Sequence, residues 1–310
     1  MSHALRFRGD GGFRLLQLTD MHFTGDAAVD ARTLALAREL IAATKPDLIV
    51  NTGDAVYGPD NLAQMDAALA PLVESGVPWT FTFGNHDGEY SGNKPALYER
   101  LRRMPGCLID HDPGSGDGVG NHVIELRGGA GELRWLVVCL DSGETLDDPV
   151  VGGYQYLTRR QIDWYRDTVA RYAAREGDFR AMVFMHMALP EFEELWQYET
   201  TYGTRREGIG APRINSGFFA AMLEAGHAGG VFVGHDHVND FWGRLYGVAM
   251  GYGRMSGYGS YGADDMPRGG RVFEFDEKNP FDFETWVVLE GGAAVKDPWV
   301  RHPLKLREDG

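Results

Sequence analysis

The stretch FRLLQLTDMH (residues 13–22) contains the pattern on which the fold prediction rests. Its first part is a mainly apolar run of the length and composition typical of a β-strand. Asp20 and His22 follow this run directly. In an extended chain, residues i and i+2 project to the same side, so both side chains could reach one metal ion at the end of the strand. The apolar spacing over residues 30–44 then predicts an amphipathic helix.

Further apolar runs end in the same way: DLIV, WTFTF, AMVFM and GVFV. They lead to Gly53-Asp54, Gly84-Asn85-His86-Asp87, His186 and Gly234-His235-Asp236-His237. Side chains at the ends of separate strands can converge at one edge of a sheet, where α/β folds place their chemistry. We therefore predict a metal site formed by Asp20, His22, Asp54, Asn85, His186, His235 and His237.

The order of the predicted elements indicates an α/β fold. Short apolar strands alternate with helices in the first half, as in parallel βαβ units. Strands without intervening helices cluster near the C-terminus, which favours a second sheet packed on the first. No linker or repeat divides the sequence. We predict a four-layer α/β/β/α sandwich as a single domain over residues 1–310, with a core from about 13 to 290.

The sequence predicts the secondary structure of three further segments in more detail. NLAQMDAALAPLVESG (residues 61–76) predicts one helix, capped by Asp60 or Asn61 and ended by Gly76. Residues 157–175 predict a long amphipathic helix with Thr158 as its cap. The polar and aromatic segment 196–217 is predicted to be a long loop.

Composition limits the possible functions. The chain of 310 residues carries a formal net charge of −15, which disfavours broad binding to nucleic acids. Cys107 and Cys139 lie in apolar surroundings and are expected to be reduced, buried thiols. The N-terminal sequence MSHALRFRGDGG lacks the apolar region of a signal peptide, and no apolar run approaches the length of a membrane span. A cytoplasmic protein that does not bind membranes is expected.

The predicted ligands suit hydrolysis of a phosphoester. A pair of divalent ions can supply a bridging hydroxide as the nucleophile and neutralise the phosphoryl oxygens. Carboxylate, amide and imidazole ligands favour ions such as Mn, Fe, Zn, Co or Ni. We expect two divalent or mixed-valence ions, with Mn, Fe or Zn preferred. Asp54 is the natural bridging carboxylate, and Asn85 offers a neutral oxygen.

Two neighbours of Asn85 could take part in proton transfer. His86 should point away from the metal face and into the pocket, where it could donate a proton to the leaving alkoxide or merely position the substrate. Asp87 either orients His86 by accepting from its other ring nitrogen or is a turn residue.

The sequence signals for substrate contacts are less specific than those for the metal ligands. Arg205 and Arg206 could bind phosphate oxygens, although solvated surface arginines are the favoured interpretation. Tyr258 and Tyr261, in the glycine-rich segment 251–262, could stack on a substrate ring or be ordinary surface aromatics.

The motifs D-x-H, G-D, G-N-H-D, H and G-H-x-H together resemble the signature of the calcineurin-like metallophosphoesterases. The sequences GHDHVNDF and NSGFFAAMLEAG are most similar to the purple-acid-phosphatase-like subgroup typified by the Dcr2 phosphatase. The resemblance covers nearly the whole chain and implies an α/β/β/α fold, a dinuclear metal centre and phosphoester hydrolysis. It also implies two ligand sets, which are Asp20, His22, Asp54 and His237 for one ion and Asp54, Asn85, His186 and His235 for the other, with His86 as the protonating histidine.

One position departs from the true purple acid phosphatases. In those proteins a tyrosine of the motif G-D-x-x-Y binds ferric iron, and D-x-G replaces D-x-H. This chain has both His22 and Tyr57. We expect His22 to be the ligand and Tyr57 to be a pocket or packing residue, so the centre should be colourless.

The leading hypothesis is a metal-dependent phosphoesterase that acts on a small phosphoester or a phosphoprotein. Phosphomonoesters and small phosphodiesters are both compatible with the motifs. The alternative is a non-catalytic metal-binding scaffold of the same fold. A nuclease is the weaker enzyme hypothesis because the chain is acidic and has no basic cluster.

Overall fold

The structure is a computed structural model, and it describes residues 3–303. The strands in this part of the chain are β1 (His3–Arg6), β2 (Gly12–Leu18), β3 (Leu48–Asn51), β4 (Trp79–Phe81), β5 (His122–Arg127), β6 (Leu133–Cys139), β7 (Arg180–Phe184), β8 (Thr201–Tyr202), β9 (Ala228–Val233), β10 (Trp242–Leu245), β11 (Val248–Tyr252), β12 (Gly269–Asp276), β13 (Phe283–Leu289), β14 (Ala294–Val295) and β15 (Val300–Arg301). The helices are α1 (Ala27–Thr44), α2 (Asn61–Ala68), α3 (Ala70–Ser75), α4 (Lys94–Leu101), α5 (Arg159–Glu176), α6 (Glu191–Tyr198) and α7 (Phe218–Ala225), with a 3₁₀ turn at Pro113–Ser115.

The strands form two sheets. One has the order β14-β13-β12-β2-β3-β4, and β2, β3 and β4 run parallel in it. The other has the order β1-β5-β6-β7-β9-β11-β10-β8-β15, and β6, β7, β9 and β11 run parallel. The carboxyl ends of β2, β3 and β4 therefore meet at one edge of the first sheet, and those of β7 and β9 meet in the second.

Strand β2 shows how the layers are held together. Phe13 and Leu15 face the other sheet and belong to the core between the two sheets. Leu16 and Leu18 belong to the core under α1 to α4. A strand buried on both faces needs apolar residues at nearly every position, which explains the continuous run in the sequence.

A third core lies on the outer face of the second sheet, where Tyr165 of α5, Phe192 of α6 and Phe218 of α7 are buried. The layers thus follow the order helices, sheet, sheet, helices. The predicted four-layer α/β/β/α fold is confirmed.

The prediction of a single helix over residues 61–76 is wrong. Two helices, α2 and α3, meet at Leu69, because Pro71 in the first turn of α3 has no N–H to continue the hydrogen-bond ladder. Asp60 precedes α2 without a capping hydrogen bond. The Asn61 amide instead donates to the carbonyl oxygens of Asp87 and Gly92, which ties α2 to the loop after β4.

The helix predicted after Thr158 is confirmed as α5. The Thr158 hydroxyl accepts from the Gln161 amide, and the Gln161 side chain accepts from the Thr158 amide, which is a complete capping box. The prediction of a long loop over residues 196–217 is wrong at the start of this segment, because α6 continues to Tyr198 and β8 follows it.

Both cysteines are free thiols, as expected, but Cys107 is only half-buried whereas Cys139 is buried. Burial raises the pKa of each thiol to about 12. Within residues 3–303, the helices are too short or too polar for any of them to serve as a membrane-spanning segment.

Candidate metal centre

The predicted ligands lie in loops that begin where the parallel strands end. The loop after β2 runs alongside the loop after β3, since the amide of Asp20 donates to the carbonyl of Gly53 and the amide of His22 donates to that of Asp54. The loops after β7 and β9 are joined in the same way, by the Gly234 amide and the His186 carbonyl. Pairing between neighbouring strands therefore continues into the loops and brings the side chains together.

The backbone conformation of these loops was not foreseen. Asp20, His22, Asp54 and His235 have φ angles of 54°, 45°, 50° and 73°. The expectation that Asp20 and His22 share a side because the chain is extended is therefore wrong, although their side chains do meet. Such left-handed conformations are costly outside glycine and concentrate at functional sites.

Two glycines permit the close approach of the loops after β3 and β4. A Cβ atom on Gly53, which has a φ of 93°, would lie 2.3 Å from the amide nitrogen of Gly84. A Cβ atom on Gly84 would lie 2.0 Å from Oδ1 of Asp54. A side chain at Gly84 would displace the Asp54 carboxylate, and one at Gly53 would push the loop after β4 away from the loop after β3.

The first potential metal-binding group consists of Asp20, His22 and His237, whose ligand atoms lie within 4.8 Å of one another. Nε2 of His22 is 3.0 Å from Nε2 of His237. The His237 Nδ1–H donates to the carbonyl of Tyr261, so the Nε2 of neutral His237 presents a lone pair to the group.

The second group consists of Asp54, His186 and His235, whose ligand atoms also lie within 4.8 Å of one another. Nε2 of His186 is 3.1 Å from Oδ2 of Asp54 and 3.2 Å from Nδ1 of His235. The His186 Nδ1–H donates to the carbonyl of Thr52, which again leaves Nε2 as the inward-facing atom.

The two groups are adjacent. Oδ2 of Asp54 is 3.8 Å from Nε2 of His22, so this carboxylate reaches toward both groups. Asp20 also links the sheets, because its carboxylate accepts from the backbone amide of His235. The geometry therefore brings together six of the seven predicted ligands.

Asn85, the seventh, is buried, and its Oδ1 atom has no hydrogen-bond partner within residues 3–303. A buried amide oxygen without a partner is costly unless a ligand occupies the space in front of it. Oxygen and imidazole donors with inward lone pairs fit a borderline divalent ion, so the residues present are suited to hold the metals that the motifs imply.

The electrostatics of these side chains favour a bound cation. Burial opposes ionisation of Asp54, but the neighbouring His186 lowers the pKa of this carboxyl overall. Burial alone would lower the pKa of His186, but Asp54 raises it to about 9. Burial and then His186 lower the pKa of His235 to about 3. The buried carboxylate of Asp54 that raises the pKa of His186 would equally stabilise a bound divalent cation.

His86 lies at the edge of the site and is held by Glu89, a residue that the sequence analysis missed. The Nδ1 atom of His86 is 2.8 Å from Oε2 of Glu89. The backbone amide of His86 donates to Oδ1 of Asp54, so the histidine is fixed to the site at its main chain as well. The contact could have been predicted from the sequence, because Glu89 follows His86 by three residues and such a spacing on a tight turn brings a carboxylate next to a histidine.

The prediction that Asp87 orients His86 is wrong. The Asp87 carboxylate is fully buried and accepts from the backbone amides of Asp54, Ala55, Val56 and Gly84. Burial, followed by repulsion from Asp54, raises the pKa of Asp87 to about 6. Asp87 holds the loops after β3 and β4 together and does not contact the imidazole of His86.

A pocket of about 370 Å³ opens over the site. Its lining residues are Asp54, His86, Tyr154, Glu207, Gly208, Ile209, Gly210, His235, Asp236, His237, Ser260 and Tyr261. The ring of Tyr261 stacks on that of His237, with centroids 4.1 Å apart. Tyr154 makes an edge-to-face contact with His235 at 4.6 Å. The larger cavity between α2, α3 and α4, of about 870 Å³, contains none of the predicted site residues.

Three of the candidate substrate contacts lie outside this lining. Arg205 pairs with Glu193, and Arg206 pairs with Asp265, which favours the interpretation of both arginines as surface residues. The ring of Tyr258 lies under the guanidinium of Arg32, 3.9 Å from its carbon, and packs against the core beside α1.

Tyr57 lies next to His86, with ring centroids 4.6 Å apart, and 5.8 Å from the ring of His22. Tyr57 is 37% exposed, whereas His22 is 1% exposed. The inward position is therefore taken by His22, and Tyr57 stands at the outer rim.

Comparisons with known proteins agree with this geometry. A family model described as calcineurin-like phosphoesterase matches residues 13–239, a range that starts in β2 and includes every predicted metal ligand. The chain is 35% identical over 306 residues to a protein of Arabidopsis thaliana named probable inactive purple acid phosphatase 29, covering 88% of this chain and 79% of the relative. It is 26% identical over 330 residues to the phosphatase DCR2 of Saccharomyces cerevisiae, covering 91% of this chain and 54% of that protein.

Solved structures share the fold at low sequence identity. A dimetal phosphatase from Danio rerio superposes with a TM-score of 0.56 at 12% identity, covering 88% of this chain and 98% of the other. The purple acid phosphatase PPD1 from yellow lupin seeds gives a TM-score of 0.52 at 12% identity, covering 93% and 53%. The matched motifs, the layer order and the ligand geometry are consistent with one another, and the chain belongs to the calcineurin-like phosphoesterase family.

Proposed function

We propose that the protein is a dinuclear metal-dependent phosphoesterase that hydrolyses a phosphomonoester or a small phosphodiester. The observation that carries this proposal is the convergence of two adjacent groups of ligand atoms with the buried Oδ1 of Asn85, which has no hydrogen-bond partner in the described part of the chain. Asp20, His22 and His237 would hold one ion, and Asn85, His186 and His235 the other, with Asp54 shared between them. When bound, such a pair activates water and neutralises the phosphoryl oxygens.

His86 supplies the proton in this proposal. Glu89 engages Nδ1 of His86, so Nε2 is the ring nitrogen left to donate a proton to the leaving oxygen. The main-chain bond from His86 to Asp54 fixes the distance between the donor and the metal site. Tyr57 at the rim is proposed as a packing partner of His86 and not as a metal ligand.

The test is metal reconstitution followed by assay. The purified protein, supplied with Mn, Fe or Zn, should bind about two ions per chain and turn over p-nitrophenyl phosphate or bis-p-nitrophenyl phosphate. The ratio of the two activities decides between a monoesterase and a diesterase. A visible absorption band in the iron-loaded protein would contradict the position proposed for Tyr57.

A loaded site without turnover of either ester would instead identify a non-catalytic scaffold. That outcome has to be considered because relatives carry names that describe them as probably inactive. This chain keeps all seven ligands and the proton donor, which supports the enzyme. The net charge of −15 argues against a polynucleotide substrate.

A further inference from the structure

Beyond the metal ligands and the proton donor His86, the walls of the pocket carry acidic side chains and no described lysine or arginine. Apart from the residues of the metal site and His86, the charged lining residues are Glu207 and Asp236, and the remainder are glycine, serine, isoleucine and tyrosine. No lysine or arginine occurs among the described residues that line it. Beyond the metal ligands and the proton donor His86, a second phosphate on the substrate would therefore meet no lysine or arginine of this lining.

The nearest arginines along the chain are committed elsewhere. Arg205 donates to the carboxylate of Glu193 and to the backbone carbonyl of Glu207. Arg206 is paired with Asp265. Either guanidinium would have to break a carboxylate contact before it could turn toward a second phosphate.

Glu207 is held in place by neutral donors. Its Oε1 atom accepts from the Val238 amide at 2.8 Å, and its Oε2 atom accepts from the Tyr261 hydroxyl at 2.8 Å. Both contacts fix the carboxylate at the wall without neutralising it. The segment that carries Glu207 is fixed as well, because the Asn239 side-chain oxygen accepts from the amides of Arg206 and Glu207.

A fixed anion at the wall of a partly enclosed pocket repels a second anion on the substrate, and such repulsion is an effective source of specificity. We propose that the pocket selects esters that carry a single phosphoryl group on an uncharged leaving group, and that Glu207 determines this selectivity. Tyr154, Ile209 and Tyr261 then provide an apolar wall for the body of that leaving group. The inference rests on the proposed function and narrows its substrate class.

The experiment compares phenyl phosphate with hydroquinone bisphosphate, which place the same ring at the pocket and differ in the second phosphate. We expect the metal-loaded protein to show a kcat/KM at least about tenfold lower for the bisphosphate, and this ratio should shrink as salt is raised from about 0.05 to about 0.5 M. Equal kcat/KM values, or a faster bisphosphate, would overturn the proposal.

Paired variants separate charge from shape. Glu207→Gln removes the charge at nearly constant size and should reduce the ratio to about threefold or less. Tyr261→Phe removes the hydrogen bond to Glu207 but keeps the carboxylate, and it should leave the ratio in place. Equal effects of both variants, or no effect of Glu207→Gln, would contradict the role of Glu207. Ile209→Lys, which keeps Glu207 and adds a cation to the lining, should also reduce the ratio.

A binding readout makes the test independent of turnover. Calorimetric titration of the metal-loaded protein with phenylphosphonate and with benzene-1,4-diphosphonate should show tighter binding of the monophosphonate. Tighter or equal binding of the diphosphonate overturns the inference even in an active enzyme. Selective binding of phenylphosphonate without any ester turnover overturns the proposed function alone, and failure to bind either compound overturns both.

Discussion

His86 and Glu89 are paired across one turn of the loop after β4, with Nδ1 of the histidine 2.8 Å from Oε2 of the glutamate. The contact fixes which ring nitrogen of His86 remains available to a substrate. It also restrains a side chain that is partly exposed and would otherwise sample other rotamers.

The pair leads to a prediction about leaving groups. Glu89→Ala should lower kcat by about tenfold or more for an alkyl phosphate, because a poor leaving group depends on proton donation by a correctly oriented histidine. p-Nitrophenyl phosphate should be affected much less. Glu89→Gln keeps an acceptor for the Nδ1–H and should recover part of the loss.

Glu99→Ala provides the control, since Glu99 is an exposed glutamate that pairs with Arg102 and Arg103 on the surface of the protein. Steady-state kinetics with both esters give the comparison. A uniform loss for both leaving groups in Glu89→Ala would show that Glu89 acts on folding or metal binding instead of on His86.

Substitution of Asn85 should reduce the number of metal ions that the protein retains. Asn85→Ala removes the buried Oδ1, which no described residue engages in a hydrogen bond. We expect the variant to hold about one ion in place of two and to lose activity by about a hundredfold or more. His86→Ala should hold both ions and still lose rate. Elemental analysis after desalting distinguishes the variants, and a fully loaded Asn85→Ala protein would exclude this residue as a ligand.

His122 should make folding sensitive to acid. Its ring is buried between the Thr80 hydroxyl and the Gly120 carbonyl, and burial lowers its pKa from 6.5 to about 4. The unfolded chain therefore binds the proton more tightly, so the contribution of His122 is fully present above about pH 6.5 and is lost as pH falls toward about 4. The loss between pH 7.5 and pH 5 is about 2 kcal/mol.

The measurement is the free energy of urea unfolding at several pH values. His122→Asn keeps a donor toward Gly120 but cannot titrate, so its stability should fall less steeply with acid than that of the parent. His302→Asn, at an exposed position, should follow the parent. An unchanged slope in His122→Asn would mean that other groups carry the acid sensitivity.

Lys94 and Asp141 form a buried ion pair with Nζ and Oδ1 2.8 Å apart. Lys94→Met should destabilise the protein by about 3–5 kcal/mol, because it leaves the Asp141 charge buried without its partner. The double variant with Asp141→Asn should recover part of this loss. Arg38→Met, at the exposed pair with Glu74, should cost less than about 1 kcal/mol in the same denaturation experiment. Equal losses in the buried and exposed pairs would contradict the effect of burial.

The candidate metal site was predictable because its signal is local. Each candidate ligand follows a short apolar strand, and the parallel strands of a sheet end at one edge, so Asp54 and His186 could be predicted as candidates without knowing a single contact. The role of Asp87 could not be assigned in this way, since a carboxylate beside a histidine can serve either the imidazole or the backbone. Only the positions of four amide groups from two different loops decided for the backbone.

The sequence by itself determined the four layers and the identity of the candidate ligands, because hydrophobic periodicity and strand-end motifs are encoded over a few neighbouring residues. Tertiary structure alone decided the left-handed turns at Asp20 and His22, the pairing of His86 with Glu89 and the anionic wall at Glu207. These features depend on which side chains meet across distant segments, where burial and hydrogen bonding outweigh local preference.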